Sequence, residues 1–330
     1  MPKHVIIVDG ALWGGVLVDG SGPLMPAGWQ DDVNGEFAAA GCEVRMGWSE
    51  QPAAVQAAWL QEASCLVLFA HTHVDAAFLD GAPHLVLLST PSVGFDNIDA
   101  VECARRNIWV TNGAGSITET TADLALCLLL GATRRLGANH MMVVEGTPKG
   151  SENRRKWFVG ESLGAELTSK TLGVVGFGRI GQALGRKCQA AFNMRVLYFD
   201  AFHVQSGVTG AEAVSFDELL AESDFISINS QLDDSTHHMF GAAQFAAMKP
   251  GSFLVNAARG PLVDEEALCD ALESGHLGGA GLDVYEIEPP DENPDGSVGP
   301  SERLRRAPNI FLQPHSGSAT LEARREMQVT

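Results

Sequence analysis

Three segments in the second half of the sequence carry charged or titratable residues next to apolar runs. They are Arg259 in "LVNAARGPLVDEEAL", Glu288 in "GLDVYEIEPP" and His315 in "FLQPHSGSAT". An arginine at the end of an apolar strand, followed at once by Gly260, indicates a side chain aimed into a cleft while the backbone passes close beneath it. Taken singly, each residue also has an ordinary interpretation: a surface ion pair, a solvated loop acid and a structural histidine.

A glycine motif, "VVGFGRIGQALGRK", follows a predicted strand and opens a predicted helix. Gly176 allows a tight turn, Gly178 lets the backbone reach a pyrophosphate, and Gly181 permits close packing of the helix. Asp200 ends the next strand 19 residues after Gly181, where an acidic side chain would bind the adenosine ribose hydroxyls of a dinucleotide. The alternative is a glycine-rich turn that binds nothing.

The same Asp200 bears on the choice of cofactor. Its carboxylate would repel the 2'-phosphate of NADP, and no arginine follows in "DAFHVQ" to neutralise that phosphate. The sequence therefore favours NAD.

Two histidines and six cysteines are candidate metal ligands. His71 and His73 follow a predicted strand at the sheet end where ligands bind, so they could line a substrate pocket. They lack a third metal ligand nearby, and a plain polar loop is the remaining interpretation. The six cysteines are scattered without a CxxC pair, as suits reduced packing residues. We therefore predict no metal site.

Short apolar runs alternate with amphipathic ones along the chain. The first series includes "HVIIV", "CLVLFA", "HLVLLS" and "IWVT", and the second includes "TLGVVGFG", "RVLYFD", "DFISIN", "SFLVNAA", "AGLDV" and, after a polar loop, "NIFLQPH". This alternation predicts parallel sheets with helices on both faces. Between the series, residues 116–135 form a long predicted helix whose start fits a capping box.

The predicted fold class is α/β, with two Rossmann-like, doubly wound parallel-sheet domains and a cleft between them. A length of 330 residues suits two domains. We predict a substrate-binding (catalytic) domain over 1–115 and 308–330, and a dinucleotide-binding domain over 116–307. The active site is then expected in the cleft.

The charge balance limits the possible partners. With 22 Lys and Arg against 41 Asp and Glu, the formal net charge is -19, which repels nucleic-acid backbones and anionic membranes. A small anionic substrate would need a local cationic anchor. The start, "MPKHVIIVDG", resembles neither a signal peptide nor a membrane span, so a cytoplasmic location is expected.

In combination and order, the motifs resemble the D-isomer-specific 2-hydroxyacid dehydrogenase family. The resemblance runs through "LSTPSVGFDNID", "ETTADLALCLLLGATRR", "TLGVVGFGRIG", "MKPGSFLVNAARGPLVDEEAL", "GGAGLDVYEIEPP" and "QPHSGSAT". It implies that Arg259 anchors the substrate, His315 donates a proton and Glu288 pairs with His315. Two more backbone positions are implied to bind substrate, Val93 and Gly94. Further positions are implied to bind the cofactor, namely Thr121, Arg179, Ile180, Ala257 and Asp283.

The chemistry required agrees with these roles. Reducing a ketone with NADH delivers a hydride to carbon and needs a proton for the oxygen, so an acid that titrates near neutrality must stand beside the carbonyl. His315 meets that requirement, and a carboxylate on its far nitrogen would fix the tautomer of the ring.

The resemblance therefore implies NAD-dependent interconversion of a 2-keto acid and a D-2-hydroxy acid, with glyoxylate-like or hydroxypyruvate-like substrates favoured. It also implies a homodimer built through the helix at 116–135. Two alternatives use the same fold: a nucleotide-sensing, corepressor-like interaction protein, and a dehydrogenase of formate or phosphite type.

Overall fold

The computed structural model describes residues 4–9, 35–68, 72–146, 163–202, 205–288 and 298–329. The chain divides into two compact units. One comprises Met1–Ile117 with Ala319–Thr330, and the other comprises Thr118–Ser318.

The first unit contains a parallel sheet of short apolar strands. Their bounds are β1 (His4–Val8), β2 (Cys42–Met46), β3 (Cys65–Val67), β4 (Leu87–Thr90) and β5 (Trp109–Asn112). The strand order is β2-β1-β3-β4-β5, and every pairing is parallel. Ile7, Leu66 and Leu88 are fully buried on adjacent central strands, so apolar burial fixes this sheet.

Helices connect these strands, and two of them begin at aspartate caps. Their bounds are α1 (Ala53–Glu62), α2 (Ala76–Asp80) and α3 (Ala100–Arg105), and residues 35–39 are also helical. The Asp75 side chain accepts the N–H of Phe78, and the Asp99 side chain accepts the N–H of Glu102, each at 2.8 Å. These are ordinary N-caps that satisfy first-turn donors.

The second unit contains a longer parallel sheet. Its strands are β6 (Thr171–Val175), β7 (Arg195–Phe199), β8 (Glu212–Ala213), β9 (Phe225–Ile228), β10 (Phe253–Asn256), β11 (Gly279–Leu282) and β12 (Ile310–Leu312). The strand order is β12-β11-β10-β9-β6-β7-β8, with parallel pairing throughout. The order reverses at β6, which pairs with β9 on one side and β7 on the other. Such a switch point is where dinucleotides bind.

Successive strand residues in this unit face opposite sides of the sheet. Val174 belongs to one apolar cluster and Val175 to another, and Leu254 and Val255 divide in the same way. Both faces are therefore covered, which explains the near-continuous apolar runs of the sequence. The two parallel-sheet α/β units confirm the predicted fold class.

Two helices of the second unit precede its first strand, and the others lie between its strands along the chain. They are α4 (Thr118–Thr133), α5 (Leu136–Val144), α6 (Arg179–Phe192), α7 (Phe216–Glu222), α8 (Ala242–Ala247), α9 (Glu265–Glu273) and α10 (Glu302–Arg305). The last helix, α11 (Leu321–Val329), belongs to the first unit. A short 3-10 helix spans Gly260–Leu262.

The long helix predicted over 116–135 ends earlier and starts differently. Arg135 has a left-handed backbone (φ 53°), which separates α4 from α5. The Ser116 hydroxyl donates to Gly113 O at 2.9 Å, and the Glu119 carboxylate pairs with Lys187 at 2.7 Å. These contacts replace the predicted capping box, because both of its side chains find other partners.

The predicted return to the first domain at 308 is too early. β12 pairs with β11, matching Ile310 to Ala280 and Leu312 to Leu282. The edge of the larger sheet therefore retains the segment up to Ser318, and the first unit resumes at Ala319. His315 consequently belongs to the same unit as Arg259 and Glu288.

Within the described part of the chain, no helix combines the length and the apolar character needed to cross a bilayer. The six cysteines are free thiols. Three of them, Cys103, Cys188 and Cys269, are buried, as expected for packing residues, whereas Cys127 is exposed.

Candidate active site

His315 and Glu288 lie in the loops that follow β12 and β11. Because these strands are parallel neighbours, their carboxyl ends meet at one edge of the sheet. His315 Nδ1 lies 2.5 Å from Glu288 Oε2, and Glu288 Oε1 accepts the backbone N–H of Tyr285 at 2.8 Å. The carboxylate is thus held through both oxygens and orients the imidazole. The His315 side chain is 47% exposed, so the ring can meet a ligand.

The turn that carries His315 is fixed by a buried acid. His315 has a left-handed backbone (φ 52°), and its N–H donates to Asp283 O at 2.8 Å. The Asp283 carboxylate accepts the N–H of Ser316 at 2.7 Å and that of Gly317 at 2.8 Å. Burial raises the pKa of the Asp283 carboxyl, and these N–H donors oppose the rise. Such contacts stabilise a sparsely populated backbone conformation.

Thr121 holds the other side of the same turn. Its hydroxyl donates to Gly317 O at 3.1 Å. A Cβ at Gly317 would lie 3.2 Å from Asp283 Oδ2 and 3.4 Å from Thr121 Cγ2, which leaves little room for a side chain. The sequence resemblance predicts Thr121 and Asp283 as cofactor contacts; their role in positioning His315 was missed. The small residues of "HSGS" were the available signal for it.

Arg259 extends from a turn that Asn256 organises. The buried Asn256 side chain donates from Nδ2 to Arg259 O at 2.8 Å and accepts the N–H of Ala258 at 3.0 Å. The guanidinium of Arg259 donates through Nη1 to Ala258 O at 2.9 Å. Ala257, the predicted cofactor contact, is half-buried in the same turn. The sequence did not point to Asn256 as the residue that organises this turn, since its contacts depend on the bend of the chain.

Gly260 joins the Arg259 turn to the loop that carries Glu288. A Cβ on Gly260 would lie 1.8 Å from Tyr285 O and 2.5 Å from Glu286 N. No side chain fits there, which explains the Arg-Gly pair. Arg259 is thereby linked to Glu288 through packed backbone, whereas Glu288 and His315 bind each other directly.

The glycine loop, residues 176–181, connects β6 to α6. Gly176 has φ 85°, and a Cβ there would lie 2.6 Å from Ser230 N. A Cβ on Gly181 would lie 2.3 Å from Gly176 O, so both glycines are required by the fold. Gly178 differs: it precedes α6 with φ −71°, and among the residues that the structure describes an added Cβ would have no heavy atom within 4 Å. The open space above Gly178, at the start of a helix, fits a dinucleotide pyrophosphate.

Asp200 follows β7 and faces the glycine loop. Its Oδ2 accepts the N–H of Phe177 at 2.8 Å, and its Oδ1 accepts the N–H of Phe202 at 2.9 Å. The carboxylate is held beside the loop, and each oxygen can still accept a ribose hydroxyl. Arg179 and Ile180 form the first turn of α6 next to it. These residues fit NAD at the switch point.

Val93 and Gly94 lie in the first unit, in the loop after β4. The carbonyl of Val93 accepts Nδ2 of Asn112 at 2.7 Å, which ties this loop to the end of β5. A Cβ on Gly113 would lie 2.2 Å from Pro91 O, so packing requires a glycine at this position, just after β5. His73 is exposed, and His71 lies outside the described residues.

The sequence matches the family model described as D-isomer specific 2-hydroxyacid dehydrogenase, NAD binding domain, over residues 126–317. It is 42% identical over 270 residues to glyoxylate reductase of Thermococcus litoralis, covering 81% of this chain and 78% of that protein. It is 39% identical over 279 residues to glyoxylate/hydroxypyruvate reductase B of Shigella boydii, covering 84% and 81%. A crystal structure of D-lactate dehydrogenase from Aquifex aeolicus, complexed with NAD and lactic acid, has a TM-score of 0.77 at 27% identity, covering 99% of this chain and 92% of that chain.

The chain belongs to the D-isomer specific 2-hydroxyacid dehydrogenase family. It is an NAD-dependent oxidoreductase that interconverts a 2-keto acid and a D-2-hydroxy acid. The predicted family, enzyme class and cofactor are thereby confirmed.

Proposed function

We propose that the enzyme reduces small 2-keto acids of the glyoxylate and hydroxypyruvate type with NADH. The observation that carries this proposal is the Glu288–His315 pair at 2.5 Å, next to an Arg259 turn locked by Gly260. A guanidinium, a carboxylate-oriented imidazole and a dinucleotide loop on one sheet provide the groups that keto-acid reduction needs. The names of the two curated relatives support the choice of substrate.

The proposed roles follow from the chemistry of each group. Arg259 binds the carboxylate and carbonyl oxygens of the substrate, since its planar fork can contact both. The backbone amides of Val93 and Gly94 add a second grip on the carboxylate. His315 gives its proton to the carbonyl oxygen, and Glu288 keeps the ring in the required tautomer and orientation.

The cofactor would be held by the glycine loop and its neighbours. Gly176, Gly178 and Gly181 shape the loop, and Asp200 binds the ribose hydroxyls. When bound, NADH supplies the hydride. Direct cofactor contacts are also proposed at Arg179, Ile180, Thr121, Ala257 and Asp283.

A substrate panel tests the proposal. We expect NADH oxidation with glyoxylate and hydroxypyruvate, and much weaker NAD reduction with formate or phosphite. Arg259→Lys should lose far more activity than a conservative change would, because an ammonium cannot reproduce bidentate binding. An enzyme that oxidises formate and ignores every keto acid, or an Arg259→Lys variant with wild-type kinetics, would reject the assignment. A chain that binds NADH but turns over no substrate would favour the nucleotide-sensing alternative.

We further propose a homodimer in the cytoplasm. Helix α5, which continues the long helix region, leaves Met141, Val143 and Val144 between 48% and 63% exposed, an apolar surface suited to self-association. The reduced, scattered cysteines suit the cytoplasm. Sedimentation of a 35.0 kDa species at micromolar concentration would contradict the dimer.

A further inference from the structure

Glu265 and Glu286 bind each other's main chain. The N–H of Glu286 donates to Glu265 Oε1 at 2.8 Å, and the N–H of Glu265 donates to Glu286 Oε1 at 3.0 Å. His238 Nε2 lies 3.1 Å from the same Glu286 oxygen. Glu265 begins α9 and Glu286 lies in the loop after β11, so the pair joins two segments that are distant in sequence.

This arrangement is more costly than the start of a helix requires. The Asp264 side chain already caps α9, accepting a first-turn N–H at 3.0 Å. Burial raises the pKa of Glu265 to about 7, and the nearby carboxylates of Glu286, Glu266 and Glu288 add to that rise. An exposed glutamate in the first turn would favour the helix without this desolvation.

The loop that Glu265 holds carries two contacts of the active site. At Tyr285, the backbone packs against Gly260, and the N–H donates to Glu288 Oε1 at 2.8 Å. At Glu288, the carboxylate binds His315. Glu286 lies between these positions, so a displacement of its main chain would move the Glu288 carboxylate.

We propose that Glu265 and Glu286 form a positioning pair that sets the Glu288 carboxylate against His315. The pair touches no reacting atom in this proposal and acts through Glu288. The catalytic meaning of this pair rests on the proposed function, whereas the contacts that link Glu265 and Glu286 to Glu288 and His315 are observed in the structure. Loss of the Glu265 acceptor should therefore weaken the contact between Glu288 and His315.

The test is a pH titration of the His315 ring, monitored by NMR of the full-length enzyme with labelled histidine. Glu265→Ala should move the titration to lower pH, because a displaced carboxylate stabilises imidazolium less. Glu265→Gln keeps an acceptor oxygen for the Glu286 N–H and should stay near the wild-type position. The matched control is Glu266→Ala. Glu266 lies in the same helical turn, but its carboxylate pairs with Arg303.

Kinetics give a second readout. Glu265→Ala should lower kcat for keto-acid reduction roughly tenfold, as expected for a small misplacement of a catalytic group, and leave NADH affinity unchanged. In a Glu288→Gln background the same change should cost less than about twofold, because the residue through which it acts is already lost.

The inference is overturned if Glu265→Ala titrates like Glu266→Ala, or if its effect adds fully to that of Glu288→Gln. If Glu265→Ala does not fold, Glu286→Ala removes the other carboxylate from a more exposed position, and the same expectations apply. The NMR titration needs no substrate. An enzyme inactive on every keto acid would therefore reject the proposed function without deciding whether the pair positions Glu288.

Discussion

The glycine loop and the loops after β10, β11 and β12 lie on one sheet, yet they are stabilised differently. In the glycine loop, missing side chains shape the site: Gly176 and Gly181 let two backbone segments approach, and Gly178 leaves open space. The loops that carry Arg259, Glu288 and His315 are held mainly by hydrogen bonds between side chains and main chain.

The difference follows from what each set of loops must do. A pyrophosphate is bound by backbone N–H groups, so the protein must keep side chains away from it. A proton donor must be fixed in orientation and tautomer, which requires partners on several sides. The glycine loop should therefore tolerate few added atoms, and the loops that carry Arg259, Glu288 and His315 should tolerate few lost hydrogen bonds.

The largest effect is expected at His315. Replacing it with alanine should lower kcat at neutral pH by roughly 10² to 10⁴, the usual range for removing a general acid. NADH affinity, measured by fluorescence titration, should barely change, because the glycine loop is a separate structure. His276→Ala is the matched control, since that ring contacts Met248 O. A large loss of NADH affinity in His315→Ala would mean that the glycine loop and the catalytic loops are not independent.

The pH dependence tests the partner of His315. Reduction needs the protonated ring and oxidation needs the neutral ring, so kcat/KM should fall with rising pH for reduction and rise over the same range for oxidation. Glu288→Gln removes a carboxylate that stabilises imidazolium, and the fall in reduction should move to lower pH. A reduction profile that stays at the wild-type position would disprove the pairing.

Two alanine substitutions compare glycines within one loop. Gly181→Ala places a Cβ 2.3 Å from Gly176 O, and such overpacking should cost about 1–3 kcal/mol of stability. The Cβ of Gly178→Ala meets no atom within 4 Å in the described part of the chain. The melting temperature of this variant should therefore match wild type, while NADH binding weakens by roughly tenfold or 1.4 kcal/mol. Equal melting temperatures for the two variants, or full NADH affinity in Gly178→Ala, would contradict this division of roles.

The next comparison is between the kcat/KM values with NADH and with NADPH. NADH should exceed NADPH by at least about tenfold, since the Asp200 carboxylate would face a phosphate instead of two hydroxyls. Asp200→Asn removes the charge and keeps an oxygen that can accept one of the two backbone N–H groups. Asp200→Asn should therefore lower the ratio of kcat/KM with NADH to kcat/KM with NADPH. Comparable use of both cofactors by the wild type would refute the role of Asp200.

Local patterns in the sequence predicted the glycine loop and the strands other than β2 and β8. "TLGVVGFG" and "RVLYFD" contain β6 and β7, because buried parallel strands need continuous apolar runs. The requirement for Gly181 is also local, since the atom it would meet belongs to Gly176. Such features follow from neighbours in the chain.

The supports of the catalytic loops could not be predicted in this way. Gly260 in the sequence indicated a close backbone approach, but not that the backbone it meets is that of Tyr285, and Glu265 binds Glu286, 21 residues away. The segment 308–318 joined the larger sheet because the three-residue strand β12 pairs with β11. Each depends on how distant segments meet, and hydrophobic periodicity contains no information about that.

The smallest expected effect concerns stability and tests the cost of burying the Glu265 carboxylate beside the catalytic loops. Burial raises the pKa of Glu265 from 4.5 to about 7, so between these values the folded chain holds a proton that the unfolded chain has lost. Folding is therefore penalised progressively as pH rises through this window, and fully above it. Glu265→Gln has no charge to desolvate, so its melting temperature relative to wild type should rise from pH 5 to pH 8. Glu266→Gln controls for the loss of a first-turn carboxylate. A difference in melting temperature between Glu265→Gln and wild type that is constant from pH 5 to pH 8 would mean that Glu265 is ionised throughout this range. Its burial would then carry no such penalty.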